Sequence, residues 1–278
     1  MHGGLPRRRG IHKPGRMIDR ARLEAIVREA GRIALDRWPG HGHALEAWEK
    51  DAGSPVTEAD LAVDSFLKRE LAALLPSAGW LSEETIDAPE RLAGGLLWLV
   101  DPIDGTRDFM RGRPGWAVSV ALVSSGRPLI GLLCAPARDE LWVGEAGQGS
   151  WRNGERLSAS RRTEFVGSRV PAEVLPKSDA DLVSVYQPNS IALRVAMVAA
   201  DEADLVATLR WGYEWDIGAA AIIAEEAGAR VTDALGGELR FNKPRANAFG
   251  VLCCAPGIHA AAVERLRERA VRLSAGGG

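Results

Sequence analysis

The sequence predicts a fold of mixed α-helices and β-strands, and three observations support this class. Apolar residues recur at helical spacing between Leu23 and Trp38, with Arg and Glu on the intervening positions. The uniformly apolar run 96–100 ends abruptly at Asp101-Pro102, as a buried strand does when it delivers a polar loop. In the second half of the chain, helical segments alternate with strand-like runs, which is typical of layered helix-and-sheet folds.

Length, charge and cysteine content narrow the class of protein. The 278 residues are 46% hydrophobic, which is ample for a buried core. The net charge is -2, from 35 basic and 37 acidic residues, so the overall charge does not favour binding to a nucleic acid polymer or an anionic membrane. No apolar run approaches the roughly 18 residues that a membrane span requires. Because two of the three cysteines, Cys253 and Cys254, are adjacent, a disulfide framework is disfavoured, and we expect a cytoplasmic protein.

The first half of the chain predicts two helices followed by a meandering sheet. An amphipathic helix covers the segment from Leu23 to Trp38. Thr57 occupies an N-cap position, so a second helix is expected to run to Leu74 with Asp60 in its first turn. Three further strands follow the run 96–100, with Gly and Pro between them, at 116–123, 129–133 and 141–143.

The second half of the chain predicts helices that alternate with strands. Helices are expected over 191–209, 216–227 and 258–273, and strands over 230–232 and 251–253. We expect a boundary in the Gly-rich stretch 144–160, which divides the chain into an amino-terminal part, 17–150, and a carboxyl-terminal part, 151–273. Residues 1–16 and 274–278 are expected to be disordered, and Met17 is an alternative start.

Carboxylates form three clusters that lie far apart in sequence, each at the end or the beginning of an apolar element. The clusters are Ser82–Thr85, Asp101–Phe109 and Trp215–Gly218. Each has a structural explanation when taken alone: a solvated turn, an Asx turn, and a helix cap by Asp216. Their functional interpretation therefore depends on the chemistry of the second cluster.

The second cluster places Asp101 and Asp104 three residues apart in a tight loop. Gly105 permits unusual dihedrals and a close approach of the backbone. Hard cations such as Mg²⁺ bind carboxylate and carbonyl oxygens, and oxygens of the substrate phosphate complete their coordination. If residues 105–109 open a helix, the amides of Gly105 and Thr106 form an anion site at its positive end. The sequence therefore predicts adjoining metal and phosphate sites.

Four motifs, in this order, resemble the inositol monophosphatase superfamily. The first signature of the superfamily is a hydrophobic strand followed by Asp-Pro-x-Asp-Gly-Thr-x-x-Phe, and Trp98–Phe109 is similar to it. The second signature is Trp-Asp followed by small residues and an apolar helix, and Trp215–Ile223 is similar to that one. Ser54–Asp60 and Ser82–Glu84 match its two upstream motifs. The resemblance covers roughly residues 20 to 270. It implies a layered αβαβα sandwich with metals between the amino-terminal and carboxyl-terminal parts.

The resemblance also implies a role for each matched residue. The ligands of the first Mg²⁺ ions would be Glu83, Asp101, Asp104 and the backbone carbonyl of Ile103, while Asp216 would complete another site. Asp60 and Thr106 would form a pair that positions the attacking water, with Glu83 as a second candidate for its activation. Lys50 would lie near the metals. Such a cluster suits phosphomonoester hydrolysis by a metal-activated water, without a phosphoenzyme.

The choice of phosphate ester depends on residues outside the metal motifs. Inositol-selective members carry an acidic residue a few positions before Trp-Asp, whereas this chain has Arg210, which suits a substrate with a second anion. Arg210–Gly212 and the stretches 111–116 and 239–244 resemble bacterial 3'(2'),5'-bisphosphate nucleotidases. Arg194 is expected to add charge to this pocket and Ser190 to contact substrate. The alternative is that Arg210 is solvated and caps a helix.

These features rank three substrates and leave a different class of function open. The first candidate is 3'-phosphoadenosine 5'-phosphate, the second an inositol monophosphate and the third histidinol phosphate; fructose bisphosphate is a further substrate of the superfamily. A non-catalytic metal-binding scaffold is the alternative class, but a scaffold has no need of the water-activating pair Asp60 and Thr106. The resemblance also implies inhibition by Li⁺, and a homodimer is common in the family.

Overall fold

The computed structural model of the protein describes residues 18–41, 47–49 and 55–275. Within these residues the α-helices are α1 (Arg20–Leu35), α2 (Glu58–Leu74), α3 (Thr106–Met110), α4 (Ile191–Ala199), α5 (Glu214–Glu226) and α6 (His259–Ser274). The strands are β1 (Ala47–Glu49), β2 (Pro55–Thr57), β3 (Gly79–Ser82), β4 (Leu96–Asp104), β5 (Ala117–Ser124), β6 (Arg127–Ala135), β7 (Glu140–Glu145), β8 (Gly149–Arg152), β9 (Glu155–Arg156), β10 (Arg169–Pro171), β11 (Val183–Val185), β12 (Leu205–Tyr213), β13 (Arg230–Thr232) and β14 (Asn247–Cys254).

The strands form one large sheet and three smaller ones. The large sheet has seven strands in the order β3-β4-β5-β6-β7-β8-β9, with a parallel β3–β4 pair and antiparallel neighbours elsewhere. Three strands in the order β12-β14-β13 form an antiparallel sheet. Two pairs, β1-β2 and β10-β11, complete the set. The predicted boundary stretch 144–160 contains β8 and β9, which extend the large sheet.

The two faces of the large sheet pack against different helices. On β4, Trp98 and Val100 pack into a core with α1 and α2, while Leu97 and Leu99 pack with α4 and α5 on the opposite face. The inner face of the three-stranded sheet covers α4 and α5, and its outer face packs against α6. This alternation follows from the two-residue period of a strand. The layers therefore run helices, sheet, helices, sheet, helix, which confirms the predicted αβαβα sandwich.

The start of α2 confirms the predicted N-cap. The hydroxyl of Thr57 accepts hydrogen bonds from the amides of Ala59 (3.2 Å) and Asp60 (3.4 Å). The carboxylate of Asp60 in turn accepts from the amide of Thr57 at 2.8 Å, which completes a capping box. The sequence therefore places Asp60 in the first turn of α2 for a local reason.

The predicted helix over 191–209 is wrong in its second half. The helix α4 ends at Ala199, Asp201 adopts a left-handed backbone (φ 57°), and β12 begins at Leu205. Asp204, which precedes β12, is held by β10, because its carboxylate accepts from the backbone amide of Arg169 (2.9 Å), the first residue of that strand. Both segments are almost uniformly apolar, so their periodicity does not distinguish helix from strand. Arg210 consequently lies on a strand and does not cap a helix.

No helix among the residues described is long and apolar enough to cross a membrane. The other predicted elements agree with the structure to within a few residues at their ends. The final helix, α6, continues to Ser274, and residues 276–278 lie outside the described part of the chain.

Candidate active site

Three carboxylates from distant parts of the sequence meet at one end of the large sheet. Oxygen atoms of Glu83, Asp101 and Asp216 all lie within 4.8 Å of one another. Because β3 and β4 are parallel neighbours, the residue after β3 lies beside Asp101, and the amide of Glu83 donates to the carbonyl of Val100 at 3.2 Å. Asp216 enters from the first turn of α5. The structure thus brings together three of the predicted metal ligands.

The electrostatics of this cluster fit a bound cation. Asp101 is 2% exposed, and burial, followed by the charges of Glu83, Asp104, Asp216 and Asp60, raises the pKa of its carboxyl well above the usual value. Burial and the charge of Asp104 raise the pKa of Asp216 to about 7, despite a hydrogen bond from the amide of Tyr213. Carboxylates that repel one another in a buried site are suited to a divalent cation, which prefers oxygen ligands. The residues present therefore fit a metal ion.

Asp104 adjoins the cluster and is held by the start of α4. Its carboxylate accepts from the hydroxyl of Ser190 (2.5 Å) and from the amides of Ala192 (2.7 Å) and Ile191 (3.3 Å). Burial raises the pKa of Asp104, and these hydrogen bonds oppose that rise. Ser190 is fully buried, so in this structure its hydroxyl positions Asp104. A direct contact between Ser190 and substrate, and metal ligation by Asp104, stay predictions.

The two residues of the predicted water-positioning pair, Asp60 and Thr106, both lie near the cluster. The charge of Asp60 contributes to the raised pKa of Asp101, so Asp60 belongs to the same electrostatic environment. Asp60 accepts a hydrogen bond of 2.6 Å from the hydroxyl of Thr57, and the hydroxyl of Thr106 donates to the carbonyl of Ile103 at 3.0 Å. The pairing of Asp60 with Thr106 stays a prediction. Lys50, the remaining candidate, lies outside the described residues.

Gly105 joins the metal loop to α3 in a conformation that requires glycine. Its φ is 94°, and a Cβ atom there would lie 2.8 Å from the carbonyl oxygen of Gly115 and 2.8 Å from the amide nitrogen of Ser190. A side chain would therefore clash with backbone atoms on two sides. Gly105 and Thr106 line the same cleft as the carboxylate cluster, and phosphate binding by their amides stays a prediction.

A cleft of about 470 Å³ opens over the carboxylates. Its walls combine the acidic cluster with cationic and aromatic side chains and with the loop at the start of α3. The lining residues are Glu83, Asp101, Ile103, Gly105, Thr106, Arg107, Asn189, Arg194, Arg210, Trp211, Gly212, Tyr213 and Asp216. A phosphate ester would thus meet metal ligands at the base of the cleft and permanent positive charge at its sides.

The two predicted arginines have different surroundings in this cleft. Arg194 is half-buried, and its guanidinium donates to the carbonyls of Pro188 (2.7 Å) and Asn189 (2.8 Å), so it holds that loop in place. Arg210 is exposed, and within the described residues it has no hydrogen-bond or ion-pair partner. Its charge opposes the rise in the pKa of Asp216. Arg210 is therefore available to a ligand, while Arg194 supports the wall.

Three lining or supporting residues were missed by the sequence reasoning, which named a fourth, Trp211, only as part of the stretch 210–212. Tyr213 is 54% exposed and stacks on Trp215 with ring centroids 4.5 Å apart, and Trp211 is 40% exposed. Arg107 adds an exposed cation. Asp64 of α2 accepts from the hydroxyls of Ser82 (2.5 Å) and Thr85 (2.9 Å) and so fixes the turn that carries Glu83. The sequence did contain a signal for the aromatic wall of the cleft, because aromatic residues flank Gly212 just before the Trp-Asp motif.

Comparison with known proteins identifies the family. The family model "Inositol monophosphatase family" matches residues 18–273. The fructose-1,6-bisphosphatase/inositol-1-monophosphatase of Thermotoga maritima is 32% identical over 234 residues, which is 81% of this chain and 85% of that protein. The inositol-1-monophosphatase of Mesorhizobium japonicum is 33% identical, over 76% of this chain and 83% of that protein.

Solved structures agree with the sequence relatives. The Thermotoga maritima IMPase superposes with a TM-score of 0.76 at 28% identity, over 90% of this chain and 97% of that one. The extragenic suppressor protein suhB from Bartonella henselae gives a TM-score of 0.74 at 26% identity, over 89% and 98% of the two chains. The shared fold, the acidic cluster and the matched length lead to one assignment: this chain belongs to the inositol monophosphatase family of metal-dependent phosphatases.

Proposed function

We propose that the protein is a Mg²⁺-dependent phosphomonoesterase that acts on a small phosphate ester. The observation that carries this proposal is the convergence of Glu83, Asp101 and Asp216 within 4.8 Å at the base of a cleft that also contains unpaired positive charge. All three ligands are hard carboxylate oxygens, which favours Mg²⁺ over softer metals. The bound ions would supply Lewis-acid stabilisation and a water of lowered pKa.

The chain's own residues would orient the reactants. The carbonyl of Ile103 and the carboxylates of Asp104 and Asp216 would complete the metal sites, and the amides of Gly105 and Thr106 would bind phosphoryl oxygens. The hydroxyl of Thr106 would leave the Ile103 carbonyl to hold the attacking water, with Asp60 orienting that hydroxyl. Glu83 is the second group able to take a proton from this water, and Lys50 would add positive charge nearby.

For the substrate, we propose 3'-phosphoadenosine 5'-phosphate, which would yield AMP and phosphate. Arg210 and Arg107 line the same cleft as the carboxylates and offer positive charge to a second phosphate. The exposed rings of Trp211 and Tyr213 lie on the same wall as Arg210 and offer a stacking surface to a nucleobase. An inositol monophosphate would use the charge of Arg210 less and would have no planar ring to stack.

The second candidate is an inositol monophosphate, which the names of the relatives favour. Several proteins 31–33% identical to this chain are named inositol monophosphatases, and one is also named a fructose-1,6-bisphosphatase. Histidinol phosphate is the third candidate. Inhibition by Li⁺, a cytoplasmic location and a homodimer belong to the same proposal and depend on the family likeness.

A panel of four esters tests the proposal. Purified protein is assayed with 3'-phosphoadenosine 5'-phosphate, fructose 1,6-bisphosphate, inositol 1-phosphate and histidinol phosphate, each with Mg²⁺, with chelator, and with Mg²⁺ plus Li⁺. We expect turnover only with Mg²⁺, the highest kcat/KM for the nucleotide, and inhibition by Li⁺. A higher kcat/KM for inositol 1-phosphate would replace the nucleotide assignment with the second candidate. No turnover of any ester would favour the scaffold.

A further inference from the structure

The segment Phe241-Asn242-Lys243 is held by a buried carboxylate next to the metal cluster. The amides of Asn242 and Lys243 donate to the two oxygens of Glu214, at 2.5 and 3.2 Å. The ammonium of Lys243 lies 3.7 Å from the same carboxylate. Glu214 is the first residue of α5 and is fully buried, and Asp216 follows it in the same helical turn. The segment is therefore anchored at the start of the metal-ligand helix.

The same segment is held from its other side by Arg91. The side chain of Arg91 is 1% exposed. Its guanidinium donates to the side-chain oxygen of Asn242 at 2.6 Å and to the carbonyl of Lys243 at 2.9 Å. It also donates to Asp87 at 2.6 Å, within the segment that follows Glu83. Arg91 thus joins the segment after Glu83 to the segment that contacts Glu214.

These contacts connect two metal ligands that are remote in sequence. Glu83 lies at the beginning of the loop that ends in Arg91, and Asp216 lies two residues beyond Glu214. The Asn242–Lys243 segment links the two stretches of chain that carry these ligands, because it is hydrogen-bonded to the buried Glu214 on one side and to the buried Arg91 on the other. Hydrogen bonds to charged groups are strong, and groups outside the ligand sphere set the orientation of ligands. A displacement of the segment would therefore change the distance between Glu83 and Asp216.

We propose that Glu214 is a positioning residue: together with Arg91, it fixes Asp216 relative to Glu83 through the Asn242–Lys243 segment, and so sets the affinity of the cluster for a divalent cation. This inference rests on the metal dependence proposed above. It also gives a physical reason why Glu-Trp-Asp at 214–216 and Phe-Asn-Lys at 241–243 occur in the same chain. The first motif supplies the carboxylate that accepts the hydrogen bonds, and the second supplies the amides that donate them.

The substitution Glu214→Gln tests this role with little change in shape. A glutamine presents one oxygen and one NH₂ group, so a donor would face one of the two amide donors of the segment. Calorimetric titration of Mg²⁺ into metal-free protein measures the affinity directly, without turnover. We expect the Kd to rise about 10- to 100-fold. At saturating Mg²⁺ we expect kcat to recover to within about threefold of the wild type, because the groups that touch substrate are retained.

A second variant removes only the Arg91 side of the hydrogen-bond network, and a matched control variant reports on stability alone. Asn242 has a left-handed backbone (φ 62°), so Asn242→Gly removes the Arg91 contact without backbone strain and keeps the amide that donates to Glu214. We expect a smaller rise in Kd, about threefold to tenfold. Asp204→Asn is the control, because Asp204 is a buried carboxylate bound to an arginine elsewhere in the fold. We expect it to lower the melting temperature without changing the Kd.

The outcomes separate positioning from stability. Wild-type affinity for Mg²⁺ in both folded Glu214→Gln and Asn242→Gly would overturn the proposal, as would a wild type that binds no divalent cation. If Glu214→Gln does not fold, Asn242→Gly decides alone, and an unchanged Kd overturns the proposal. A wild type that binds Mg²⁺ but hydrolyses no ester would contradict the proposed function and leave the comparison of the variants valid.

Discussion

Two buried aspartates, Asp101 and Asp204, show opposite ways of accommodating a carboxylate in the interior. They are 2% and 1% exposed. Burial and neighbouring carboxylates raise the pKa of Asp101 well above its usual value. Burial also opposes ionisation of Asp204, but hydrogen bonds from Arg169 and Ser160 outweigh it and lower the pKa of that carboxyl to about 2. Equal burial therefore has opposite consequences, which depend on the charge of the neighbours.

This contrast distinguishes a structural charge from a functional one. Arg169 donates to both oxygens of Asp204, at 2.9 and 2.8 Å, so that charge is compensated within the chain. Asp101 is surrounded by the carboxylates of Glu83, Asp104 and Asp216, so its charge is not compensated by these neighbours, and a bound cation would compensate it. A buried repulsive cluster destabilises a folded protein, and its position in a cleft makes it a candidate functional site. Four substitutions examine this contrast, ordered by their expected effect on turnover.

Asp101→Asn should have the largest effect. Asparagine can keep the 3.0 Å hydrogen bond from the amide of Ile103, but it removes a ligand charge. We expect a loss of about 10³-fold or more in kcat/KM, with no loss of melting temperature in the metal-free protein, because repulsion decreases. Calorimetry with and without Mg²⁺ measures the second effect. Asp216→Asn is the matched variant and should behave alike. Unchanged turnover by folded Asp101→Asn protein would refute the metal assignment.

Thr106→Ala should have the next largest effect. Its hydroxyl donates to the carbonyl of Ile103, so we expect its removal to change water positioning more than metal binding. We expect kcat to fall about 10²- to 10⁴-fold, the usual range for proton-transfer assistance, and the Kd for Mg²⁺ to stay near the wild-type value. Thr106→Ser, which keeps the hydroxyl, is the control. A loss below about tenfold would mean that Glu83 and the metals activate the water without this pair.

The parts of the site that could be predicted from sequence are those held by interactions between residues that are close in sequence. The N-cap of α2 at Thr57 is a local feature, and the strand that reaches Asp101 has a clear apolar signature, so both were predicted. The shared fold then explains why Glu83, Asp101 and Asp216 meet. The hydrogen bonds between Ser190 and Asp104 and between Arg91 and Asn242 join residues far apart in sequence, so no local sequence pattern predicts them. The strand β12 was missed because an apolar run before it continued the helical pattern.

Arg210→Glu should act on substrate choice. The guanidinium is exposed and has no hydrogen-bond or ion-pair partner within the described residues, so the substitution breaks no such bond there; it also reverses a charge that acts on Asp216, which affects both esters alike. Loss of a charge-assisted hydrogen bond costs about 1.5 to 3 kcal/mol, so kcat/KM for 3'-phosphoadenosine 5'-phosphate should fall about tenfold to a hundredfold, and that for inositol 1-phosphate far less. Arg272→Glu, at an exposed position of α6, controls for net charge. Equal changes for both esters would reject the nucleotidase assignment.

Asp204→Asn should have the smallest effect on turnover and a clear effect on stability. Arg169 loses its charged partner but keeps a contact with Asp201, and its side chain is 35% exposed, so we expect a loss of about 2 kcal/mol in the free energy of unfolding at pH 7.

The pH dependence of the same variant tests the cause of this loss. Because the pKa of Asp204 is lowered from 3.8 to about 2 in the folded state, its contribution to stability is fully present above about pH 4 and is lost as the pH falls towards 2. Urea unfolding at several pH values should therefore show wild type and variant converging in acid. If kcat per folded molecule fell with stability, or if the difference persisted at pH 2, Asp204 would not be a purely structural counterpart of Asp101.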